Sequence, residues 1–362
     1  PVVAALAGMV LGGALELALA CHFRVAASNC RFRMPEVTVG IVPGAGGTQR
    51  LPRLVGLPTA LRMLLTGETI DADRALMLGL VDAVCAPGDL MDAVCHLRDS
   101  IPRPRRTSRL RERIDDVAVA AAAFGEAQET LAKTPPEIIA PRRIIETVRA
   151  GIDGSAEAGM RCEQTAFAEC LQTPAAQNRI YLFFASRQTS KVPEFETVTP
   201  RPVAQAAVVG MGTMGSGIVQ VLVQAGLPVT ALDRDEAALV RGLERIRNSL
   251  DKRVAQGKLA PAGRDAMLAR IKLTTQWADL AAADLVIEAV YEDPRVKQEV
   301  LAHLEPLVAP EAVVATNTSA ISLDVLAATM QRPERLVGMH FFHPAQRMPL
   351  VEIVRRKGAA VE

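Results

Sequence analysis

One hexapeptide in the second half of the chain constrains the fold more than any other feature. Gly210-Met211-Gly212-Thr213-Met214-Gly215 is a Gly-x-Gly-x-x-Gly run, preceded by AQAAVVG and continued by GSGIVQVLVQAG. The first flank reads as a buried strand and the second as a helix, and this context gives meaning to a pattern that is weak alone. Gly210 permits a tight turn, Gly212 lets backbone approach a pyrophosphate, and Gly215 lets helix and strand pack closely. The free N–H groups of the first helical turn, which includes Met214, then face an anion. The next strand, LPVTALD, ends at Asp233. A carboxylate there accepts hydrogen bonds from an adenosine ribose and repels a 2′-phosphate, which favours NAD over NADP; Arg234 beside it is the contrary sign. The further apolar runs ADLVIEAV, AVVATNTS, RLVGMHFF and PLVEIV alternate with helical stretches, the pattern of a largely parallel sheet.

The remaining composition narrows the class. The 362 residues are enough for two or three domains, and 49% are hydrophobic, although aromatics supply only 3%. The cores must therefore be built from Ala, Val, Leu and Ile. Lys+Arg 41 against Asp+Glu 40 leaves a net charge of +1, so a nucleic-acid partner is not expected. Cys21, Cys30, Cys85, Cys95, Cys162 and Cys170 are scattered without a Cys-x-x-Cys pair, which reads as reduced thiols with no metal site. The most apolar stretch, PVVAALAGMVLGGALELALAC, is interrupted by Gly8, Gly12, Gly13 and Glu16 and lacks a basic flank. It reads as a buried strand followed by a helix entered through a Gly pair, and no membrane span is expected.

Three stretches differ in character. Residues 1–86 are apolar and glycine-rich. Residues 87–199 carry helical patterns at EIIAPRRIIETVRAGI and AGMRCEQTAFAECLQTPAAQNRIYLFFASRQ, and end in a proline-bearing linker, KVPEFETVTPRPV. The Arg-rich run from Arg103 to Arg113 in this stretch reads as a solvated face rather than an anion site. Residues 200–362 carry the dinucleotide pattern.

The segments IEAVYEDPRVKQEV, ATNTSAIS, GMHFFHP and MPLVEIV follow the glycine run in order, and with them residues 203–362 resemble the 3-hydroxyacyl-CoA dehydrogenase family. Oxidising a 3-hydroxyl needs a base for the O–H proton while hydride leaves to nicotinamide, and histidine has the right proton affinity. His340 ends one predicted strand and Glu352 lies on the next, so adjacent strands can bring imidazole and carboxylate together, as in other His–carboxylate pairs. The resemblance implies that His340 and Glu352 are this dyad. It also implies that Ser319 touches the substrate 3-oxygen, and that Asn317, Glu292 and Lys297 lie near the cofactor or the CoA. Singly, each has a plainer reading: a core histidine, an Asn-Thr-Ser turn, a solvated Glu–Lys pair on a helix. Their joint occurrence favours the functional one. His343 stands where the family usually has Asn. The family's later substrate-contacting Asn and its helical dimerisation domain are expected to lie beyond Glu362.

GMVLGGALELALAC, FRMPEVTVGIVPGAGGTQRLPRLVG and LTGETIDADRALMLGLVDAV make residues 1–86 similar to the C-terminal part of the crotonase (enoyl-CoA hydratase/isomerase) family. Adding water across a thioester-conjugated double bond requires a group to activate water, another to protonate the α-carbon, and donors for the enolate oxygen. The resemblance assigns the acid–base pair to Glu16 and Glu36, whose environments can set their proton affinities apart, and one oxyanion donor to the N–H of Gly13. Glu16 alone could be a helix-start carboxylate; Glu36 in MPE before PGAGGTQR is not explained that way. Members with one glutamate tend to isomerise, so 3-enoyl-CoA isomerase activity is a further expectation. The second oxyanion donor and most CoA-binding loops are expected before Pro1, so this chain alone is expected to hydrate poorly or not at all.

The resulting fold class is α/β: a partial crotonase-type β/α module (1–86), a helical connector (87–199), then a Rossmann-type doubly wound NAD-binding domain (200–362). Together these resemble multifunctional fatty-acid β-oxidation enzymes, in which the 3-hydroxyacyl-CoA made by one site feeds the other and tethering raises its effective concentration. Acyl-CoA substrates, NAD as cofactor and a cytoplasmic location, peroxisomal in a eukaryote, are the corresponding expectations. Three alternatives remain open: a dehydrogenase with the crotonase part as scaffold, an interaction subunit that docks a thiolase, and a hydroxy-acid dehydrogenase acting without CoA. A homo-oligomer is also left open.

Overall fold

The computed structural model describes residues 1–100, 104–189 and 191–360, without the side chains of 98–100. It divides into two compact units, Pro1–Val192 and Pro193–Glu362.

In the first unit, short strands and helices alternate. Strand β1 (Val3–Leu6) and β2 (Met9–Leu11) precede helix α1 (Gly13–Ala20), followed by β3 (Phe23–Ala27) and β4 (Arg31–Arg33). Helices α2 (Gly47–Val55) and α3 (Leu57–Thr66), strand β5 (Ile70–Asp71), helix α4 (Ala72–Met77), strand β6 (Ala83–Cys85) and helix α5 (Leu90–Ser100) complete this part. The strands form two small sheets, ordered β1-β3-β6 and β2-β4-β5. Parallel pairing of β1 with β3 and of β2 with β4 requires crossovers, and α1 supplies the helix in both. Strand β3, paired on both sides, is buried throughout. β1 departs from the expectation of a buried strand: it lies at a sheet edge and is only partly covered, with Ala5 exposed.

The helical segment continues as α6 (Val117–Ala132), α7 (Ala140–Asp153), α8 (Ala156–Leu171) and α9 (Pro174–Gln188). Asp116, Ser155 and Thr173 cap α6, α8 and α9 by accepting the backbone N–H three residues on. These helices are not separate from the strands. Phe32, Leu51 and Leu64 share one hydrophobic cluster with Phe124, Ile144, Val148, Ala166 and Cys170. In the Arg-rich run, Arg105 pairs with Asp82, Arg111 with Asp115, and Arg113 donates to the Leu78 carbonyl. Arg103 lies outside the described residues.

The second unit is a doubly wound sheet. Its elements run β7 (Ala206–Val209), α10 (Thr213–Gln224), β8 (Val229–Leu232), α11 (Glu236–Ala255), α12 (Pro261–Leu268), β9 (Ile271–Thr274) and β10 (Leu285–Glu288). They continue with α13 (Pro294–Leu304), β11 (Val313–Thr316), α14 (Leu323–Ala327), β12 (Leu336–Phe341) and β13 (Val351–Arg355). The strand order is β13-β12-β11-β10-β7-β8-β9. Every adjacent pair is parallel except β12 with β13. Strand β7 illustrates why both faces must be covered: Ala206 and Val208 belong to one apolar cluster, Ala207 and Val209 to another. The chain order reverses between β7 and β10, and the carboxyl ends of the strands there open a crevice of the kind that binds ligands in such sheets.

If the helices and the strands of the first unit share one core, a cavity in α7 must weaken the whole unit. Ile144 is fully buried in that cluster. Ile144→Ala is expected to cost about 2–5 kcal/mol, read as a lower denaturant midpoint for the cooperative unfolding of the first unit with the second unit's transition unmoved.

Candidate active sites

In the second unit a cavity of about 980 Å³ runs along the carboxyl ends of the strands, lined by Gly210, Gly212, Met214, Asp233, Glu292, Lys297, Asn317, Ser319 and His340 among others. Gly215 alone of the sequence-predicted cofactor residues does not line it. The glycine turn is shaped by close approach. Gly210 has φ +99, and a Cβ there would stand 2.7 Å from the Ala289 carbonyl oxygen. A Cβ at Gly215 would run into the carbonyl of Gly210, whereas a Cβ at Gly212 would meet nothing within 4 Å. So Gly210 and Gly215 serve packing, and Gly212 leaves open space over the α10 N-terminus, where a pyrophosphate fits. Asp233 has a task in addition to the one expected of it. Its Oδ2 accepts the Met211 N–H at 2.7 Å and so braces the turn. The Arg234 side chain is largely exposed, lies 4.0 Å from Asp235 and also lines the cavity. These residues fit a dinucleotide.

Strand pairing delivers the expected dyad. His340 and Glu352 are register partners across the antiparallel β12–β13 pair, and His340 Nδ1 lies 2.8 Å from Glu352 Oε2. The imidazole edge bonded to the carboxylate is thereby fixed, and Nε2 is left for a substrate hydroxyl. His343 also lines the cavity.

A buried chain of charges supports the other wall. Lys297 and Glu288 are 1% and 0% exposed, with Lys297 Nζ 2.8 Å from Glu288 Oε1 and 3.2 Å from Glu292 Oε2. Glu288 also accepts from Thr316 Oγ1 at 2.6 Å and the Val290 N–H at 2.7 Å. Glu292 Oε1 in turn accepts from Thr318 Oγ1 at 2.6 Å and the Ser319 N–H at 3.0 Å. Burial works against the Glu292 carboxylate, but these hydrogen bonds and the Lys297 charge outweigh it and hold its pKa below the usual value. Asn317 Oδ1 accepts the Phe341 N–H at 2.9 Å, tying the β11 turn to the strand that carries His340. Lys297 is thus no solvated surface residue, and Glu288, which sequence reasoning passed over, is its main partner. The only signal was an acidic residue ending an apolar strand.

In the first unit Glu16, Glu36 and Gly13 come together around the start of α1. Gly12, the residue before α1, has φ +50, and a Cβ there would stand 2.7 Å from Glu36 Oε1. Only glycine lets the Glu36 carboxylate lie over the helix start. Nothing within 4 Å faces a Cβ at Gly13, so its backbone is open. Glu16, in the first turn, accepts the N–H groups of Ala45 and Gly47 on Oε1 at 2.8 and 2.7 Å. Glu36 is placed by a short 3-10 turn over Glu36–Val39, and its Oε2 is buried without a hydrogen-bond partner. Burial, then the nearby Glu16 and Glu163 charges, push its pKa from 4.5 to about 7, with Arg33 opposing. Glu163, from α8, is a third buried carboxylate at this site, and nothing in its local sequence marked it.

Residues 205–362 match the family model of the 3-hydroxyacyl-CoA dehydrogenase NAD binding domain, and residues 1–119 that of enoyl-CoA hydratase/isomerase. The chain is 36% identical over 368 residues to the peroxisomal fatty acid beta-oxidation multifunctional protein AIM1 of Arabidopsis thaliana, covering 100% of this chain and 51% of that protein. It is 37% identical to the peroxisomal bifunctional enzyme of Cavia porcellus and 38% to that of Homo sapiens, each over 360 residues, covering 98% of this chain and 49% and 50% of those proteins. The chain therefore spans about half the length of the curated relatives it matches.

The raised Glu36 pKa has a consequence for stability. A carboxyl with a folded pKa of about 7 against 4.5 keeps a proton that the unfolded chain has lost. The contribution of Glu36 to the stability of the first unit therefore falls as pH rises from about 4.5 to 7 and levels off above. Glu36→Gln should match the parent near pH 4 and exceed it above pH 7, by on the order of 1–3 kcal/mol, measured by urea unfolding across that range.

Proposed function

From a chain that belongs to the enoyl-CoA hydratase/isomerase family in its first part and to the 3-hydroxyacyl-CoA dehydrogenase family in its second, we propose a two-step function on acyl-CoA thioesters. The first unit hydrates a trans-2-enoyl-CoA to the 3-hydroxyacyl-CoA, and the second oxidises that product to the 3-oxoacyl-CoA with NAD. The observation that carries the reading is the His340–Glu352 pair at 2.8 Å, with His340 lining the cavity that also holds the glycine turn.

In the oxidation, His340 takes the proton of the 3-hydroxyl through Nε2. Glu352 holds the ring by Nδ1 and stabilises the imidazolium that forms. Ser319, its backbone N–H fixed by Glu292, directs its hydroxyl to the substrate 3-oxygen. Gly212 and the α10 N-terminus would hold the pyrophosphate of NAD, and Asp233 its adenosine ribose. NAD, when bound, supplies the acceptor for the hydride that leaves C3. In the hydration, Glu16 accepts a proton from the attacking water, and Glu36, half-neutral near pH 7, donates one to the α-carbon. The Gly13 N–H at the helix start meets the developing charge on the thioester oxygen. Among the described residues no helix is long and apolar enough to cross a membrane. The relatives named above are peroxisomal proteins by name, and a peroxisomal location is proposed for this chain if its source is eukaryotic, a cytoplasmic one otherwise.

The test uses the intact natural protein with trans-2-butenoyl-CoA and NAD, following NADH. The parent is expected to form NADH. Glu36→Gln should form it only when supplied with 3-hydroxybutyryl-CoA, and His340→Ala from neither, each loss being on the order of 10²-fold or more. Absence of NADH from both thioesters in the parent rejects the reading.

A further inference from the structure

The loop between the 3-10 turn of Glu36 and helix α2 is held in an unusual way. Four successive backbone N–H groups alternate between two buried carboxylates. Ala45 and Gly47 donate to Glu16 Oε1 at 2.8 and 2.7 Å. Gly46 donates to Glu163 Oε1 at 2.5 Å and Thr48 to Glu163 Oε2 at 2.9 Å, and the Thr48 hydroxyl donates to the same Oε2. Glu16 comes from α1 and Glu163 from α8, on opposite sides of one strand of loop. The two are 4% and 1% exposed.

A buried carboxylate without a cation is costly, and replacing it by an apolar side chain is often cheaper. Here that replacement would strand two buried amides and a hydroxyl, each needing an acceptor. Glutamine does not substitute either, because its NH2 would join three donors that already converge. The clamp is further tied to the helices: Gln49 Nε2 bonds Thr48 Oγ1 at 2.9 Å and the Thr147 carbonyl at 2.8 Å. A Cβ at Gly151 or Gly159 would collide with the Gln49 amide, so α7 and α8 approach this point closely. Glu16 spends only Oε1 on the loop, and Oε2 has no hydrogen-bond partner among the described residues.

We propose that Glu163 is a positioning residue for the hydration chemistry: by fixing the Gly46 and Thr48 amides it presents the Ala45 and Gly47 amides to Glu16 and so sets where the free oxygen of Glu16 stands. The proposal rests on the reading of Glu16 and Glu36 as the hydration pair. It gives Glu163 a second effect through charge. The groups that face Glu36 are Glu16 from α1, Glu163 from α8 and Arg33 from β4, the two carboxylates disfavouring its ionisation and the arginine favouring it. Removing the Glu163 charge therefore eases ionisation of Glu36, and the proton donor is lost at lower pH.

The experiment measures hydration of trans-2-butenoyl-CoA by the intact protein across pH for the parent, Glu16→Gln, Glu163→Gln and Glu163→Asp, with NAD-dependent oxidation of 3-hydroxybutyryl-CoA as the internal control. Misplacing a catalytic group by about 1 Å costs on the order of 10²-fold. Glu163→Gln should lose kcat on that scale with KM nearly unchanged, and its alkaline limb should move to lower pH. Glu163→Asp, which keeps the charge, should leave that limb in place and recover part of kcat. Oxidation should match the parent in both. Parent-like kcat and pH profile in Glu163→Gln, with Glu16→Gln inactive, overturns the positioning role alone. A loss in Glu163→Gln that follows only its unfolded fraction, with the alkaline limb unmoved, overturns it as well. Parent-like hydration by Glu16→Gln overturns the hydration reading together with the proposal.

Discussion

A charged group removed from water must be given donors, a counter-charge or a proton, and this requirement organises both candidate sites. Each remedy is visible. Glu16 and Glu163 are supplied with backbone N–H groups. Lys297 and Glu288 are supplied with each other, and Glu292 shares in that pair. Glu36 Oε2 is given no partner, and its pKa rises toward neutrality instead. The difference in treatment separates the carboxylates: Glu16 and Glu163 are fixed in place by the amides they accept, and Glu36, whose Oε2 has no such donor, is able to give up a proton near pH 7.

Much of this was legible from the residues. The glycine run between apolar flanks placed the turn at β7 and α10, and the order of the later runs placed β10, β11, β12 and β13 correctly. His340 and Glu352 could be paired because a strand register brings neighbours together at fixed positions. Glu163 was not legible. Its partners Gly46 and Thr48 lie more than a hundred positions away, and its surroundings, AGMRCEQTAFAEC, show only helical periodicity. Glu288 was missed for a related reason. Its strand reads as buried, and burial of a terminal glutamate becomes intelligible only when Lys297 folds back from α13 to meet it. Strand β9 (IKLT) was missed because its alternation is short, and β1 read as buried because composition does not report edge position.

The helical segment shows how the same division of labour extends to packing. Its amphipathic helix α7 offers Ile144, Ile145 and Val148 to the core shared with Phe32, Leu51 and Leu64. Its neighbour α8 adds a polar contact at the same place, since Glu163 reaches the loop before α2 while Ala166 and Cys170 join the apolar cluster. A segment that reads from the sequence as a connector thereby contributes a side chain within the reach of the Glu36 charge.

The pairing of β12 with β13 carries one more implication. Side chains alternate faces along a strand, so the encounter of His340 with Glu352 is written in the ladder and not in the residues that join the strands. The intervening stretch is free to lengthen, shorten or change its composition without separating the pair, provided the ladder closes on the same partners. A shift of the ladder by a single residue would turn one member of the pair to the opposite face of the sheet while leaving every residue of the motif in place. The information that defines this dyad is accordingly a phase relation between two strands, and a comparison of sequences that scores only the identities of His340 and Glu352 would not detect its loss.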